Sequence, residues 1–227
     1  KSDKERQREG RLNSDKRRKL AARMAKQSFS KTAILILAAG ASERMGKPKQ
    51  LLRIGGETLL ERIVRCALAT EANPVAVVLG AHFEKISAAI SSLTCEVIRN
   101  EDWASGMGSS VACGIRWLEK NHPAAEEVIL LLCDQPFVSV GLLEKLMQSA
   151  SNGKPIVACE YGGTLGVPAL FQKALFSELA QLQGKQGAKK VIEKYPGELA
   201  SIPFPEGQFD LDTPADLENL LEKLAKS

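Results

Sequence analysis

Residues 33–40 read Ala-Ile-Leu-Ile-Leu-Ala-Ala-Gly, and they run straight into Ala41-Ser42-Glu43-Arg44-Met45-Gly46-Lys47-Pro48-Lys49-Gln50. The opening apolar run has no polar interruption and stops at glycine. A strand with one wet face alternates apolar and polar residues, because successive side chains point to opposite sides. A run without alternation needs cover on both faces, the condition of a strand inside a parallel sheet flanked by helices. Downstream the pattern repeats. Residues 57–69 place Leu59, Leu60, Ile63, Val64 and Ala67 at helical spacing, 74–79 form a second apolar strand, and 83–90 a short helix. Residues 95–98 read as a strand, 111–118 as a helix, and 128–133 (Val-Ile-Leu-Leu-Leu-Cys) as the most apolar strand, ending abruptly at Asp134. A helix over 138–150 and a strand over 156–159 follow. The alternation predicts a three-layer α/β/α, Rossmann-like architecture around a mostly parallel sheet. Ligands of such sheets bind beyond the carboxyl ends of the strands, so polar residues just after a strand carry the functional argument.

Upstream the texture differs. Residues 1–31 carry a net charge of +8 in a chain whose total is +4, which leaves the remainder mildly acidic at −4. That stretch has few large apolar residues and no amphipathic stripe. It reads as a solvated arm, helical or disordered, ahead of one domain over 32–227. Met24, followed by Ala25, reads as an alternative first residue. No aromatic residue interleaves the arm's charges before Phe29, which argues against nucleic-acid binding. Hydrophobic residues make up 44% and charged residues 26% of the chain, ordinary values for a soluble globular protein. No apolar run reaches the roughly 18 residues of a membrane span, and no secretory signal pattern is present. A cytoplasmic location without a membrane partner is expected. Cys66, Cys95, Cys113, Cys133 and Cys159 are scattered and never spaced C-x-x-C, so they read as small buried residues in a reducing compartment. His82 and His122 stand apart from other polar candidates, which disfavours histidine acid/base or nucleophilic chemistry.

The loop after the first strand is the first chemical feature. Gly40 and Gly46 let main-chain amides approach a triphosphate, and Arg44 and Lys49 add positive charge. The spacing is not that of a Walker A loop, because five residues separate Gly40 from Gly46 and Pro48 follows Lys47. It is not G-x-G-x-x-G either, and the later Gly106-Met107-Gly108 lacks the third glycine. The full stretch LAAGASERMGKPKQLL, residues 37–52, strongly resembles the signature of nucleotidyltransferases that activate sugars and cofactors. Within them the form LAAG-x-S-x-RMG-x-PK-x-LL resembles the molybdenum cofactor cytidylyltransferases. The guanylyl enzymes usually show AGG in place of Ala38-Ala39-Gly40 and an Asp-Lys pair in place of Pro48-Lys49. The resemblance runs from residue 32 to the end and implies a nucleotidyltransferase fold. It places Leu37, Ala38, Ala39, Gly40, Ser42 and Gly46 around the nucleotide, with Arg44 and Lys49 as catalytic cations.

Carboxylates are the second feature. Asp134-Gln135-Pro136 ends the most apolar strand, where a carboxylate can hold a hard cation and Pro136 fixes the chain direction. A helix cap is the alternative role, for which Ser139 is better placed. Near the end, Asp210-Leu211-Asp212-Thr213-Pro214-Ala215-Asp216 opens the last helix at Pro214, with Asp216 as first-turn charge. From the residues alone Asp212 is either a cap or a metal ligand. The D-x-D-T-P-x-D-L pattern resembles the family's closing motif, which implies Asp212 as second metal ligand and Asp210 as the weaker candidate. By the same resemblance, the D-Q-P of residues 134–136 holds the metal through Asp134, also counted among the catalytic residues.

Residues 100–110 (Asn-Glu-Asp-Trp-Ala-Ser-Gly-Met-Gly-Ser-Ser) read as a flexible loop ahead of a helix, able to meet a base edge through its main chain. Gly106, Gly108, Ser109 and Ser110 are the candidates, and an ordinary cap at Ser109 or Ser110 competes. Residues 161–168 resemble the family's acceptor-side G-x-P element through Gly166 and Pro168, with a plain hairpin as the alternative. Val167 stands where the family often has His. Residues 184–190 (Gly-Lys-Gln-Gly-Ala-Lys-Lys) resemble G-D-x-G-A-R, with Lys185 replacing the acid and Lys189 the arginine. Positive charge for an acceptor phosphate is kept, but bidentate geometry is lost. Gln135, Gly166, Pro168 and Lys189 form the expected acceptor side.

The expected activity is transfer of CMP from CTP to the phosphate of the molybdenum cofactor, with Mg²⁺ (Mn²⁺ as the alternative metal) on Asp134 and Asp212. An apo molybdenum hydroxylase would receive the product. Two other readings stay open: transfer from another nucleotide such as GTP, or to a sugar or polyol phosphate, and a non-catalytic carrier of the cofactor.

Overall fold

The computed structural model describes residues 31–225 apart from 151, 210 and 212. Most of the basic arm and the carboxylates of Asp210 and Asp212 therefore lie outside the described residues. Lys31, the last residue of the basic stretch, already bonds to the domain: its ammonium lies 2.6 Å from Glu126, and its carbonyl accepts from the Glu126 amide.

Strand β1, Thr32–Leu37, is buried along its whole length, as its unbroken apolar run predicts. Alternate residues face opposite ways. Ile34 and Ile36 join one core layer, while Ala33, Leu35 and Leu37 join the other. The hairpin of β2, Arg53–Ile54, and β3, Glu57–Thr58, leads into α1, Leu59–Leu68. Thr58 caps α1 reciprocally: its hydroxyl accepts from the Glu61 amide at 3.1 Å, and the Glu61 carboxylate accepts from the Thr58 amide at 2.7 Å. Then come β4, Val75–Leu79, α2, Phe83–Ala89, β5, Glu96–Arg99, and α3, Met107–Asn121. Strand β6, Glu127–Leu132, and helix α4, Val140–Ala150, follow. Ser139 caps α4, its hydroxyl accepting from the Leu142 amide at 3.3 Å, which leaves Asp134 free of the capping role.

The second half adds β7, Ile156–Tyr161, β8, Thr164–Gln172, the short helices α5, Phe176–Leu179, and α6, Lys189–Ile192, then β9, Leu199–Pro203, and α7, Pro214–Ala225. The main sheet has seven strands in the order β5-β4-β1-β6-β8-β7-β9. Strands β5, β4, β1 and β6 are parallel neighbours, and β8 runs antiparallel to both β6 and β7. Helices α1, α2 and α4 supply Leu60, Val64, Ile86 and Leu143 to one face. Helices α3, α5 and α6 cover the other with Val111, Ile115, Phe176 and Val191. This is the three-layer, mostly parallel architecture expected.

Two expectations change. The stretch read as a flexible loop over 100–110 is mostly ordered structure, a 3₁₀ turn at Trp103–Ser105 followed directly by α3 from Met107. Glycine and serine disfavour a helix interior, but the Gly108 amide donates to the Gly184 carbonyl at 2.9 Å, and tertiary packing overrides local propensity. The second is the 161–168 stretch, read as an acceptor-side G-x-P element with a plain hairpin as the alternative and no strand of its own. Its tip does turn, through Gly162 and Gly163 at φ 55° and 72°, but the chain beyond is a full strand.

Candidate functional site

Register aligns the ends of three strands. Leu37 pairs with Val78 on one side and Leu132 on the other, so residues 38–40, 80 and 133–134 emerge side by side at the carboxyl edge. There a cavity of about 370 Å³ opens, lined by the glycine-rich loop, the end of β6 and the first turn of α3.

The loop is braced from below. Gln50 is buried, and its amide nitrogen donates to the carbonyls of Ala38 at 2.8 Å and Gly40 at 2.9 Å. Ser42 sits in the left-handed region at φ 58°, where its hydroxyl accepts from the Lys49 amide at 3.1 Å. Met45, buried at the cavity wall, packs into a small apolar cluster with Leu52, Ile54, Leu59, Leu211 and Leu220. The Glu43–Met45 turn closes at Gly46, φ 65°. Sequence reading did not pick out Gln50. A glutamine beside a cationic loop gives no sign that its amide is buried.

The Lys49 ammonium lies 2.5 Å from Asp134 Oδ2, with both side chains largely buried. The other oxygen, Asp134 Oδ1, is buried with no hydrogen-bond partner among the described residues. A carboxylate oxygen left without a donor costs desolvation that only a cation or hydrogen bond offsets. Two oxygens, one facing a lysine and one empty-handed, fit a hard divalent ion, which takes one or two protein carboxylates and fills its shell with phosphate and water. No group of three or more His, Cys, Asp or Glu side chains able to hold a metal occurs among the described residues. Beneath Asp134, burial pushes the Cys133 thiol up to about 12, and the Asp134 carboxylate adds to the effect.

Most of the expected nucleotide residues converge. Leu37, Ala39, Gly40, Ser42, Arg44, Lys49 and Asp134 all line the cavity. Ala38 lies just beneath it, with 2% of its surface exposed, and Gly46 stands on the outer turn, exposed. Gly108 and Ser109 do not line it. A Cβ on Gly108 would come within 2.6 Å of the Gln183 backbone, and the Ser109 hydroxyl is spent on the carbonyls of Asp102 and Gly106 at 2.8 and 2.9 Å. Gly106, Met107 and Ser110 take that wall instead, joined by Trp103 and Ala104.

The acceptor-side residues divide. Gln135 donates to the Val167 carbonyl at 2.9 Å, and Tyr161 donates to the same oxygen at 2.8 Å. This ties the Asp134 loop to β8 beside Gly166 and Pro168, both buried. A Cβ on Gly166 would stand 2.4 Å from the Tyr161 hydroxyl and push it from its place on the Val167 carbonyl. Lys189 is elsewhere, exposed in a separate hollow formed by α6 and the β7–β8 hairpin.

A family model described as the MobA-like NTP transferase domain matches residues 34–199, from β1 to the start of β9. The chain belongs to that family. As a MobA-like NTP transferase it is, by family, a nucleotidyltransferase. It is 36% identical to nicotine blue oxidoreductase of Paenarthrobacter nicotinovorans over 122 residues, 53% of this chain and 57% of that protein. With the purine catabolism protein PucB of Bacillus subtilis it shares 28% identity over 201 residues, 81% of this chain and 93% of the relative. Among solved structures, Rv0371c of Mycobacterium tuberculosis superposes at TM-score 0.73 with 29% identity, covering 84% of this chain and 97% of that one. A manganese complex of Rv0371c superposes at 0.69 with 28% identity, covering 84% and 98%. The molybdopterin-guanine dinucleotide biosynthesis protein A of Archaeoglobus fulgidus shares the fold at TM-score 0.61, with 17% identity over 86% of this chain and 100% of that one. Among the described residues of this MobA-like protein, no helix is long and apolar enough to cross a membrane.

Proposed function

We propose that this MobA-like transferase moves CMP from CTP to the terminal phosphate of the molybdenum cofactor and releases pyrophosphate. The observation that carries the reading is the Lys49–Asp134 pair beneath the glycine-rich loop, with Asp134 Oδ1 buried and without a hydrogen-bond partner among the described residues. The triphosphate lies along the loop, its charge met by main-chain amides, Arg44 and Lys49. Asp134, with Asp212 as the second protein ligand, would hold a divalent ion, Mg²⁺ or Mn²⁺. When bound it neutralises triphosphate charge and polarises the α-phosphorus. The manganese complex of the relative Rv0371c supports a divalent metal in this fold. An oxygen of the acceptor phosphate attacks the α-phosphorus, the bond to the bridging α–β oxygen breaks, and pyrophosphate leaves with the electron pair. The acceptor is already an anion, so no general base is needed and positioning does most of the work. Gln135 and the Gly166–Pro168 edge of β8 place the acceptor, and Lys189 meets charge further out.

PucB carries purine catabolism in its name, which fits an apo molybdenum hydroxylase as recipient of the dinucleotide product. Five free thiols fit a cytoplasmic setting.

The test is pyrophosphate release with CTP, GTP, ATP and UTP, with Mg²⁺ and cofactor extracted anaerobically. Cofactor-dependent release with CTP alone is the expected result. Release with another nucleotide moves the substrate and keeps the chemistry. Cofactor binding without any release favours the carrier reading. Redox turnover in place of pyrophosphate release, the class of activity that the name of the Paenarthrobacter relative raises, would overturn the transferase reading.

A further inference from the structure

We propose that Trp103 stacks on the nucleobase and sets which nucleotide this protein uses; the inference rests on the nucleotidyl reading above. The cavity is polarised by the strand order. Asp134 follows β6 and Gly80 follows β4, and these strands flank β1 on opposite sides. Two strand spacings put the two positions roughly 10 Å apart. The ionic end, with Lys49 and Asp134, stands over β6.

Trp103 stands over β4. A Cβ on Gly80 would come within 2.3 Å of the Trp103 Cβ and 2.9 Å of the Ala39 carbonyl oxygen. The tryptophan therefore seats on a bare strand end, against the start of the glycine-rich loop. Its seat is rigid on the other side as well. The 3₁₀ turn Trp103–Ser105 is held by the Asp102 amide, which donates to the Asn100 side chain at 3.1 Å. Asn100, itself buried, is held in turn by donating to Ser109 and Ser110 at 2.9 and 3.1 Å. Next to it on the cavity wall is Met107, 40% exposed, one of two large apolar side chains left that open among the described residues.

An indole fixed on a strand end and an exposed thioether, both lining the cavity, give its wall an apolar patch on this side. A flat aromatic ring fits that face by stacking and sulfur–aromatic contact. A triphosphate anchored over β6 brings its base to this side, because the ribose and α-phosphate span the distance between. Main-chain groups of Ala39, Gly40 and Gly106 line the same space and can meet a base edge.

The chain has two tryptophans, so Trp117→Phe leaves Trp103 as the single indole reporter. Trp117 lies further along α3, outside the cavity lining. In that background CTP and GTP are titrated by fluorescence and by calorimetry in parallel, with inorganic tripolyphosphate as the base-free control. Quenching by the preferred nucleotide, and none by bound tripolyphosphate, is expected. Trp103→Ala should raise the KM of the preferred nucleotide roughly 10-fold or more and narrow its preference over the others, as loss of a stacking face does. Trp103→Phe, which keeps a ring, should restore most of both. Calorimetric binding of a nucleotide without quenching overturns the assignment and leaves the transferase reading intact. So does a folded Trp103→Ala enzyme with unchanged preference. Binding of no nucleotide at all overturns both.

Discussion

At the scale of single residues the proposed chemistry rests on one lysine and one aspartate. Lys49→Ala removes the ammonium that faces Asp134 at 2.5 Å and leaves a largely buried carboxylate without its counter-charge. Turnover in the pyrophosphate assay should fall roughly 10²-fold or more, by the scale of other charge-stabilising groups. Unchanged turnover would remove Lys49 from the mechanism. Asp134→Asn keeps the shape and loses the charge. Metal-dependent nucleotide binding, followed by calorimetry with and without Mg²⁺, should disappear while tripolyphosphate still binds the loop. If Asp134→Asn binds Mg²⁺ and CTP like the wild type, the ion sits elsewhere. Lys49 and Asp134 share one contact, so the double substitution should cost less than the sum of the single ones.

At the scale of elements, two local devices hold the site's supports in place. The capping box at the start of α1 fixes the helix that follows the glycine-rich loop. Thr58→Ala should destabilise the protein by about 1 kcal/mol in denaturant unfolding. The pH dependence of the box follows from Glu61, whose carboxyl is held below its ordinary value of 4.5, first by the hydrogen bond from the Thr58 backbone and then by that from the Thr58 hydroxyl. A depressed carboxyl contributes stability that is present above the unfolded value and lost as pH falls through the folded one. The difference between wild type and Glu61→Ala, which removes the carboxylate itself, should therefore be full at pH 7 and shrink below about 4.5. A difference independent of pH would mean that the Glu61 half of the box contributes nothing. The second device is the contact of α3 with the 183–184 segment. Gly108→Ala forces a Cβ to within 2.6 Å of backbone at Gln183, where no flexible side chain can give way. A loss of roughly 1–3 kcal/mol is expected, as for other overpacked sites. A stability unchanged in thermal unfolding would mean that the segment moves aside freely.

At the scale of the whole molecule, ligand and fold are linked. Nucleotide with Mg²⁺ at a hundred times its dissociation constant should stabilise the native state by about 2.7 kcal/mol. For a domain of this size that is a rise in Tm of roughly 5–10 °C. The metal-dependent part should vanish in Asp134→Asn, and a shift that EDTA leaves intact would contradict the metal reading. The same packing silences the thiols. Burial pushes Cys66 up to about 11, and Cys133 and Cys159 up to about 12. In the native protein these three should resist iodoacetamide at pH 8 and react once denatured. Rapid native alkylation of Cys133 would mean that the floor of the cavity opens.

The amino-acid sequence by itself determined the layers and the place of the candidate site. Unbroken apolar runs such as 33–39 and 128–133 demand burial on both faces, and that demand is local and periodic. It also determined that the glycine-rich loop and Asp134 stand at strand ends, since each follows its run directly. What only the tertiary structure decided are the partnerships between distant segments. Strand order puts the ends of β1, β4 and β6 in one row, so that Lys49 reaches Asp134 and Trp103 reaches Gly80. The start of α3 at Met107, with Gly108 and Ser109 turned inward, depends on the Gly184 carbonyl far along the chain. Gln50 gains its role from carbonyls of a loop that folds back over it, and Lys189 is carried away from the cavity by α6. A periodic pattern records which face of an element is dry, but it does not record which other element comes to cover that face.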